Sequence, residues 1–377
     1  MGYYSETDCR IEDFSALCSR ELRATDLPHA ARVEKNVAIY DIGALAGVLG
    51  EDEGRRGLMA EWAWVLGEGS GALVLKGAVE TAAIDDATGI FERIIAAEGG
   101  GSGDHFAKAG ANARIWNSLQ KLCLADPGVF ARYHAAPALD AVAEAWLGPG
   151  YQMTAQVNLV RPGGAAQEGH RDYHLGFMTN AQAARYPAHV HRLSPVMTLQ
   201  GAVAHCDMEI ESGSTKLLPF SQGFAPGYLA YRLPAFRDYF EAHYIQLPLA
   251  KGDALFFNPA LFHAGGENRT ADVQRLANLL QVSSPMGRAM ESVDRVAMAR
   301  ALYPVLAEAG IAPAGRAAAI AASAEGYAFP TNLDRDPPLG GLAPETMAAM
   351  MARMLDAGES AAAFSVALDA RAVRRSA

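Results

Sequence analysis

Apolar and polar positions follow two different rhythms along this chain. Over roughly the first 150 residues the rhythm is helical: LMAEWAWVL (58–66), IFERIIAA (90–97) and FARYHAAPALDAVAEAWLG (130–148) space apolar side chains three and four apart. Between the first two, Ala72-Leu73-Val74-Leu75-Lys76-Gly77 reads as a short buried strand. From about 151 to 285 the pattern changes to short apolar or alternating runs: MTAQVNLV (153–160), VMTLQGAVAHC (196–206), TKLLP (215–219), YIQLPL (244–249), DALFF (253–257) and LANLLQV (276–282). Turn-forming residues separate them, as in Arg161-Pro162-Gly163-Gly164 and Lys251-Gly252-Asp253. Repeated short strands with such breaks predict a β-sandwich or barrel. Beyond 286 the chain is Ala-rich and helical again, interrupted by a loop holding Pro330, Pro337 and Pro338. We therefore expect one extended domain across 1–377: a helical flank (1–150) that lends an edge strand, a β core (151–285), and a helical extension (286–377) that packs outside the core or forms a subunit contact.

Bulk composition narrows the function. Half of the 377 residues are hydrophobic and 20% are charged, which is a globular chain with mass enough for a large core. The net charge is −10 and the 32 Lys+Arg residues are scattered. A nucleic-acid or anionic-membrane surface needs a basic stripe, and none is visible. No uncharged apolar stretch approaches the ~20 residues of a membrane span. The start, MGYYSETDCR, has no basic region followed by an apolar run, so no signal peptide is expected. Cys9, Cys18, Cys123 and Cys206 form no CxxC pair, consistent with reduced thiols in a cytoplasmic protein.

The chemistry concentrates after the first strand of the β region, at Gln167-Glu168-Gly169-His170-Arg171-Asp172-Tyr173-His174. In extended chain, positions two apart share a face about 7 Å apart, so His170 and Asp172 can converge on one ion. Two imidazoles and a carboxylate make the facial triad of non-haem iron oxygenases, which leaves coordination positions open. The H-x-D pattern alone is weak: with 42 acidic residues among 377, ten histidines give about one H-x-acid by chance. His205-Cys206-Asp207 is a rival, and His189-Val190-His191, in an expected loop, is a third local pair. Further along, Lys251-Gly252-Asp253 opens an apolar strand, and His263 stands just past its end beside Gly265 and Gly266. Twelve residues later comes Arg275, whose fork suits the far carboxylate of a dicarboxylate. Arg269 competes for that role from a polar loop.

The stretch from about 153 to 283 resembles the phytanoyl-CoA dioxygenase family of iron(II)/2-oxoglutarate oxygenases. The resemblance is carried in order by Val160-Arg161-Pro162-Gly163, His170-Arg171-Asp172, Glu211-Ser212-Gly213 running to Pro219-Phe220-Ser221-Gln222, Gly252-Asp253, His263 and Arg275. It places His205-x-Asp207 too close to the Glu-x-Gly stretch to be the metal pair. Two positions depart from the family pattern. Phe220 and Gln222 stand where Gly and His are usual, which points that loop toward an unusual substrate, and Arg275 comes one residue late.

The resemblance implies an α+β fold with a double-stranded β-helix (jelly-roll, cupin-like) core. It implies Fe(II) held by His170, Asp172 and His263, 2-oxoglutarate anchored by Arg275, and O₂ as oxidant, with ascorbate as the reductant in vitro. Gln156 and Asn158, on one face of the strand before H-x-D, match polar positions used for the co-substrate; ordinary strand polars are the alternative. Tyr173, His174, Phe177 and Phe220 are expected near substrate. The products would be succinate, CO₂ and an oxidised small molecule. Related halogenases carry Ala or Gly at the acid position, so Asp172 implies hydroxylation or a similar oxygenation. The competing functions are a non-catalytic β-barrel binding protein on the same scaffold and a metal hydrolase built on His189/His191. His29, His105, His134 and His243 read as surface or packing residues, and the C-terminal helices as a candidate homo-oligomer contact.

Overall fold

The computed structural model describes residues 2–98, 112–308 and 310–376; His105 lies outside them. Ten strands are present among these residues: β1 (Arg32–Glu34), β2 (Val37–Asp41), β3 (Ala72–Lys76), β4 (Asn112–Ile115), β5 (Gln152–Val160), β6 (Thr198–Ala204), β7 (Lys216–Leu218), β8 (Ala254–Phe257), β9 (Phe262–Ala264) and β10 (Arg275–Ser283). Eight build one sheet in the order β1-β2-β3-β8-β6-β10-β5-β4, and β7 pairs with β9 in a second. Every pairing is antiparallel except β2 with β3.

The two faces of the large sheet do different work. One face carries Leu199 and Val203 of β6, Val157 of β5 and Leu280 and Val282 of β10 into a core shared with helices from both ends of the chain. The C-terminal helices Arg295–Glu308, Pro313–Ser323, Met347–Asp356 and Ala361–Arg375 close that core through Met298, Leu302, Met351 and Phe364. On the other face Val74, Leu255, Phe257, Ala204 and Ala277 meet Leu217, Leu247 and Leu261 of the second layer. Gln156, Asn158, Gln200 and Arg275 lie on this inner face, and His263 lies on β9 of the facing layer. The result is the mixed α+β fold with a jelly-roll core that the family resemblance implies.

Four expectations are corrected. Residues 1–150 supply four strands rather than one edge strand, and 72–76 lies third from the sheet edge. A run buried at four of five positions suits a strand covered on both faces. The helix expected over 130–148 is two helices, Pro127–His134 and Pro137–Leu147, because Pro137 lacks the N–H that would continue the first. Residues 244–249 form no ladder: Ile245 bridges Leu217 and Leu249 bridges Met208 on either side of Pro248, which cannot donate. His189 and His191 sit on the helix Ala188–Val196, not in a loop.

The Gly252-Asp253 turn has a structural task. The Asp253 carboxylate accepts the Gly77 N–H at 3.0 Å and the Ala250 N–H at 2.7 Å and pairs with Lys76, which locks β3 to the start of β8.

His134 shows how the helix-side core treats a titratable group. It is buried against Phe130 and Tyr133, with ring centroids 4.4 and 5.0 Å away, and its Nε2 has no partner. Burial pushes its pKa down from 6.5 to about 3. Between those two values the unfolded chain holds a proton that the native ring refuses, so stability falls as pH drops through that window. His134→Leu is expected to remove one proton from this acid slope, about 1.4 kcal/mol per pH unit. Urea unfolding of both proteins at pH 7 and pH 5 checks it.

Candidate metal centre and co-substrate cleft

The site is assembled by backbone pairing. His170 and His263 exchange both main-chain hydrogen bonds, N–H to O at 3.0 and 3.1 Å. In such an antiparallel pair the two side chains leave on the same face, and the rings lie with centroids 4.5 Å apart. Asp172, two residues on, is fixed by its N–H to the Pro259 carbonyl at 3.1 Å.

The ring nitrogens are then sorted by their neighbours. His170 Nδ1 lies 2.8 Å from the Glu168 carbonyl, and His263 Nδ1 lies 2.8 Å from the Leu261 carbonyl. A carbonyl only accepts, so each Nδ1 carries the proton and each Nε2 presents a lone pair. Those Nε2 atoms face the Asp172 carboxylate at 3.6 and 3.4 Å. The three donor atoms lie within 4.8 Å of one another, and no other such group of His, Cys, Asp or Glu occurs among the described residues.

Electrostatics follow from burial and mutual contact. Burial would raise the Asp172 carboxyl, but the hydrogen bonds and charges of His170 and then His263 outweigh it and hold it well below its ordinary value. Burial likewise opposes the upward shift that Asp172 imposes on His170. His263 is lowered, by burial first and by the His170 charge second. Side-chain exposures of 26% for His170 and Asp172 and 6% for His263 show that the cluster is approached from one side. Two imidazole nitrogens, one carboxylate and an open side suit a divalent first-row metal with free positions.

Two supporting side chains escape the sequence reading. Arg171 alternates to the opposite side and is buried, its guanidinium donating to the carbonyls of Ser221 at 2.6 Å and Phe224 at 3.0 Å. It stacks over Tyr228 and Phe262, and burial pushes its pKa down to about 10. Gly227 is required here, since a Cβ would lie 2.0 Å from the guanidinium carbon. Ser221 Oγ in turn accepts the Phe262 N–H at 2.7 Å, so one loop braces both halves of the metal cluster. Gln200, buried on the inner face of β6, donates its amide to Asp172 Oδ2 at 2.5 Å. A lone glutamine on a strand face otherwise lined by Ala202 and Ala204 was the signal for it.

The other expected residues divide. Arg275, Asn158 and Gln156 share the inner face, since Arg275 pairs with Val160, Ala277 with Asn158 and Leu279 with Gln156. Arg275 is buried, meets only the Gly266 carbonyl at 3.4 Å, and is pushed down to about 10 by burial. No carboxylate pairs with it among the described residues. The small side chains of Ala202, Ala204 and Ala277 line the strands between it and Gln200. Arg269 is exposed. Tyr173 directly follows Asp172, buried, with φ 63° and ψ 156° and a hydroxyl that finds no partner. That backbone region is costly for any residue with a Cβ. His174 Nδ1 contacts Ser194 Oγ at 3.1 Å, and Phe177 is 64% exposed with its ring edge toward Tyr173.

Phe220 does not join this group. It is buried in the helix-side core with Arg20 over its ring, and its N–H bonds the Ser70 carbonyl. Gln222 is tied to the Gly67 and Gly69 carbonyls. The loop that departs from the family pattern thus packs against the N-terminal flank.

The rival histidines have other employment. His205 lies on the helix side, bonded to Thr88 Oγ1 at 2.8 Å and to the Tyr133 hydroxyl at 3.0 Å, and burial pushes its pKa down to about 3. Asp207 accepts the Lys251 N–H at 2.9 Å. His191 is buried and donates to the Ala183 carbonyl at 3.1 Å, while His189 is exposed.

A family model for phytanoyl-CoA dioxygenase (PhyH) matches residues 67–277, more than half of the chain. No curated protein matches. Among solved structures, the non-heme α-ketoglutarate-dependent epimerase SnoN from nogalamycin biosynthesis is 17% identical at a TM-score of 0.43, covering 62% of this chain and 84% of its own. HygX from Streptomyces hygroscopicus, solved with nickel, 2-oxoglutarate and hygromycin B, is 16% identical at a TM-score of 0.42, covering 62% and 90%. The carbocyclase SnoK from nogalamycin biosynthesis is 15% identical at 0.42, covering 63% and 89%. No described helix is long and apolar enough to cross a membrane. The chain belongs to the phytanoyl-CoA dioxygenase family of non-haem iron, 2-oxoglutarate-dependent enzymes.

Proposed function

We propose that this protein is an Fe(II)/2-oxoglutarate-dependent dioxygenase of hydroxylase type, oxidising a small organic metabolite with release of succinate and CO₂. The observation that carries the reading is the convergence of two tautomer-fixed imidazole nitrogens on the Asp172 carboxylate. In this reading His170, Asp172 and His263 hold the metal, and bound iron supplies the activation of O₂ while 2-oxoglutarate supplies two electrons.

What the chain itself contributes can be followed residue by residue. Arg275 offers a buried cation without a counter-charge, which a dicarboxylate satisfies by a bidentate pair. Asn158, with a buried Oδ1 that lacks a partner, lies on the same face one pair along from Arg275 and lines the co-substrate seat. Tyr173, His174 and Phe177 border the open side of the ligand cluster and shape substrate entry. Asp172 keeps a carboxylate on the metal where a halogenase would need space for halide, which favours oxygenation. Because residues from all three zones share the helix-side core, the chain acts as a single domain.

The test is succinate release from 2-oxoglutarate under air with Fe(II) and ascorbate. Turnover that requires iron and survives in the Arg269→Ala variant is expected. A protein that neither turns over nor binds 2-oxoglutarate with iron present is the barrel-type binding protein instead.

A further inference from the structure

Resting on that reading of the metal ligands, a second feature of the inner face bears on how Asp172 is used. Three glutamines lie on adjacent strands: Gln156 on β5, Gln281 on β10 and Gln200 on β6. Their hydrogen bonds run in one direction. Arg114 donates to Gln156 Oε1 at 3.0 Å, Gln156 Nε2 donates to Gln281 Oε1 at 3.1 Å, and Gln200 Nε2 donates to Asp172 Oδ2 at 2.5 Å. Gln281 and Gln200 stand directly opposite each other in the β10–β6 ladder, so their side chains are neighbours on one face.

The chemistry at each end dictates this polarity. A guanidinium can only donate, so Gln156 must turn its oxygen to Arg114 and its nitrogen to Gln281. An ionised carboxylate can only accept, so Gln200 must turn its nitrogen to Asp172. The Gln200 oxygen is left facing away, buried and without a partner.

We propose that Gln200 is a positioning residue for Asp172: its amide occupies one carboxylate oxygen so that the other alone serves the metal. A carboxylate so engaged stays monodentate, which preserves the open coordination positions that a chelating co-substrate and O₂ require. Outer contacts of this kind set ligand geometry and affinity, and their loss typically costs 10- to 100-fold in metal binding.

The experiment uses Co(II), whose visible absorption reports coordination number, on the full chain without turnover. Wild type, Gln200→Leu, Gln281→Leu and Asp172→Ala are titrated with Co(II) and then with 2-oxoglutarate, after circular dichroism and melting confirm folding. Gln200→Leu is expected to weaken Co(II) binding about 10-fold, to change the band pattern, and to weaken 2-oxoglutarate binding to the loaded protein. Gln281→Leu, opposite Gln200 in the ladder but with no hydrogen bond to it, is the control and is expected to leave the spectrum and Co(II) affinity unchanged. An unchanged spectrum and Co(II) affinity in Gln200→Leu, with binding lost in Asp172→Ala, overturns the proposal and leaves the metal site intact. Co(II) binding absent from wild type, or retained in Asp172→Ala, overturns the metal site itself. If Gln200→Leu fails to fold, Gln200→Asn, whose shorter side chain withdraws the amide from Asp172, takes its place in the same titration and decides.

Discussion

Asp172→Ala is expected to weaken iron binding and abolish 2-oxoglutarate turnover, by about 100-fold or more. The alanine removes the only anionic ligand and leaves two neutral imidazoles facing a dication. It also strands the Gln200 amide, whose short bond to Asp172 Oδ2 has no replacement. Truncating one partner of a buried, hydrogen-bonded charge pair costs about 2–5 kcal/mol, which spans the quoted factor. The fold survives, because the backbone bond from Asp172 to Pro259 does not involve the side chain. His205→Ala gives the opposite pattern. It breaks the bridge between Thr88 and Tyr133 and lowers the melting temperature, yet leaves iron affinity unchanged, since that bridge lies on the far side of the sheet. Iron titration together with thermal melting of both variants separates the two.

The second large effect is at Arg275. Arg275→Leu is expected to raise the Kd for 2-oxoglutarate by about 100-fold, again from the 2–5 kcal/mol range, and to leave iron affinity within a factor of about two. Stability should move the other way. In the protein without co-substrate the guanidinium is buried with one long bond to a carbonyl and no carboxylate. Replacing an uncompensated buried charge with an apolar side chain is neutral or stabilising. The variant should therefore melt at the same temperature as wild type or higher, while wild type gains more from added 2-oxoglutarate. Arg275→Lys keeps the charge but loses the fork, and is expected to recover part of the affinity.

What the chain discloses about itself is uneven, and the reasons are physical. Strand alternation places His170 and Asp172 on one face directly from their spacing, and a glycine-rich end beside His263 marks the third donor. The β region is legible because its strands are bounded by Gly, Pro, Asn and Asp. The N-terminal strands are not, apart from β3: β1, β2 and β4 are only three to five residues long, and although β1 pairs with its neighbour β2, β2 and β4 join the sheet through β3 and β5, far along the chain. A short strand of that kind has no local signature, since its pairing is set by the whole sheet. Gln200 belongs to the same class. Its polarity is visible in the sequence, but its contact with Asp172 depends on a register between segments 28 residues apart. Arg171 is hidden for another reason: the carbonyls of Ser221 and Phe224 that surround it come from a loop some 50 residues on, which no local pattern announces. Phe220 and Gln222, taken as substrate-facing because they break a family pattern, are accounted for by packing against Arg20, Ser70, Gly67 and Gly69.

One metal ion and one 2-oxoglutarate are expected to bind side by side, the metal on His170, Asp172 and His263 and the distal carboxylate on Arg275. A crystal structure of the protein grown without oxygen in Mn(II) and 2-oxoglutarate, with anomalous data, tests it most directly. The account predicts one anomalous peak within bonding distance of both Nε2 atoms and a single Asp172 oxygen, with the co-substrate reaching from it to the Arg275 fork. A peak at His205/Asp207 or at His189/His191, or a 2-oxoglutarate bound away from Arg275, would contradict it.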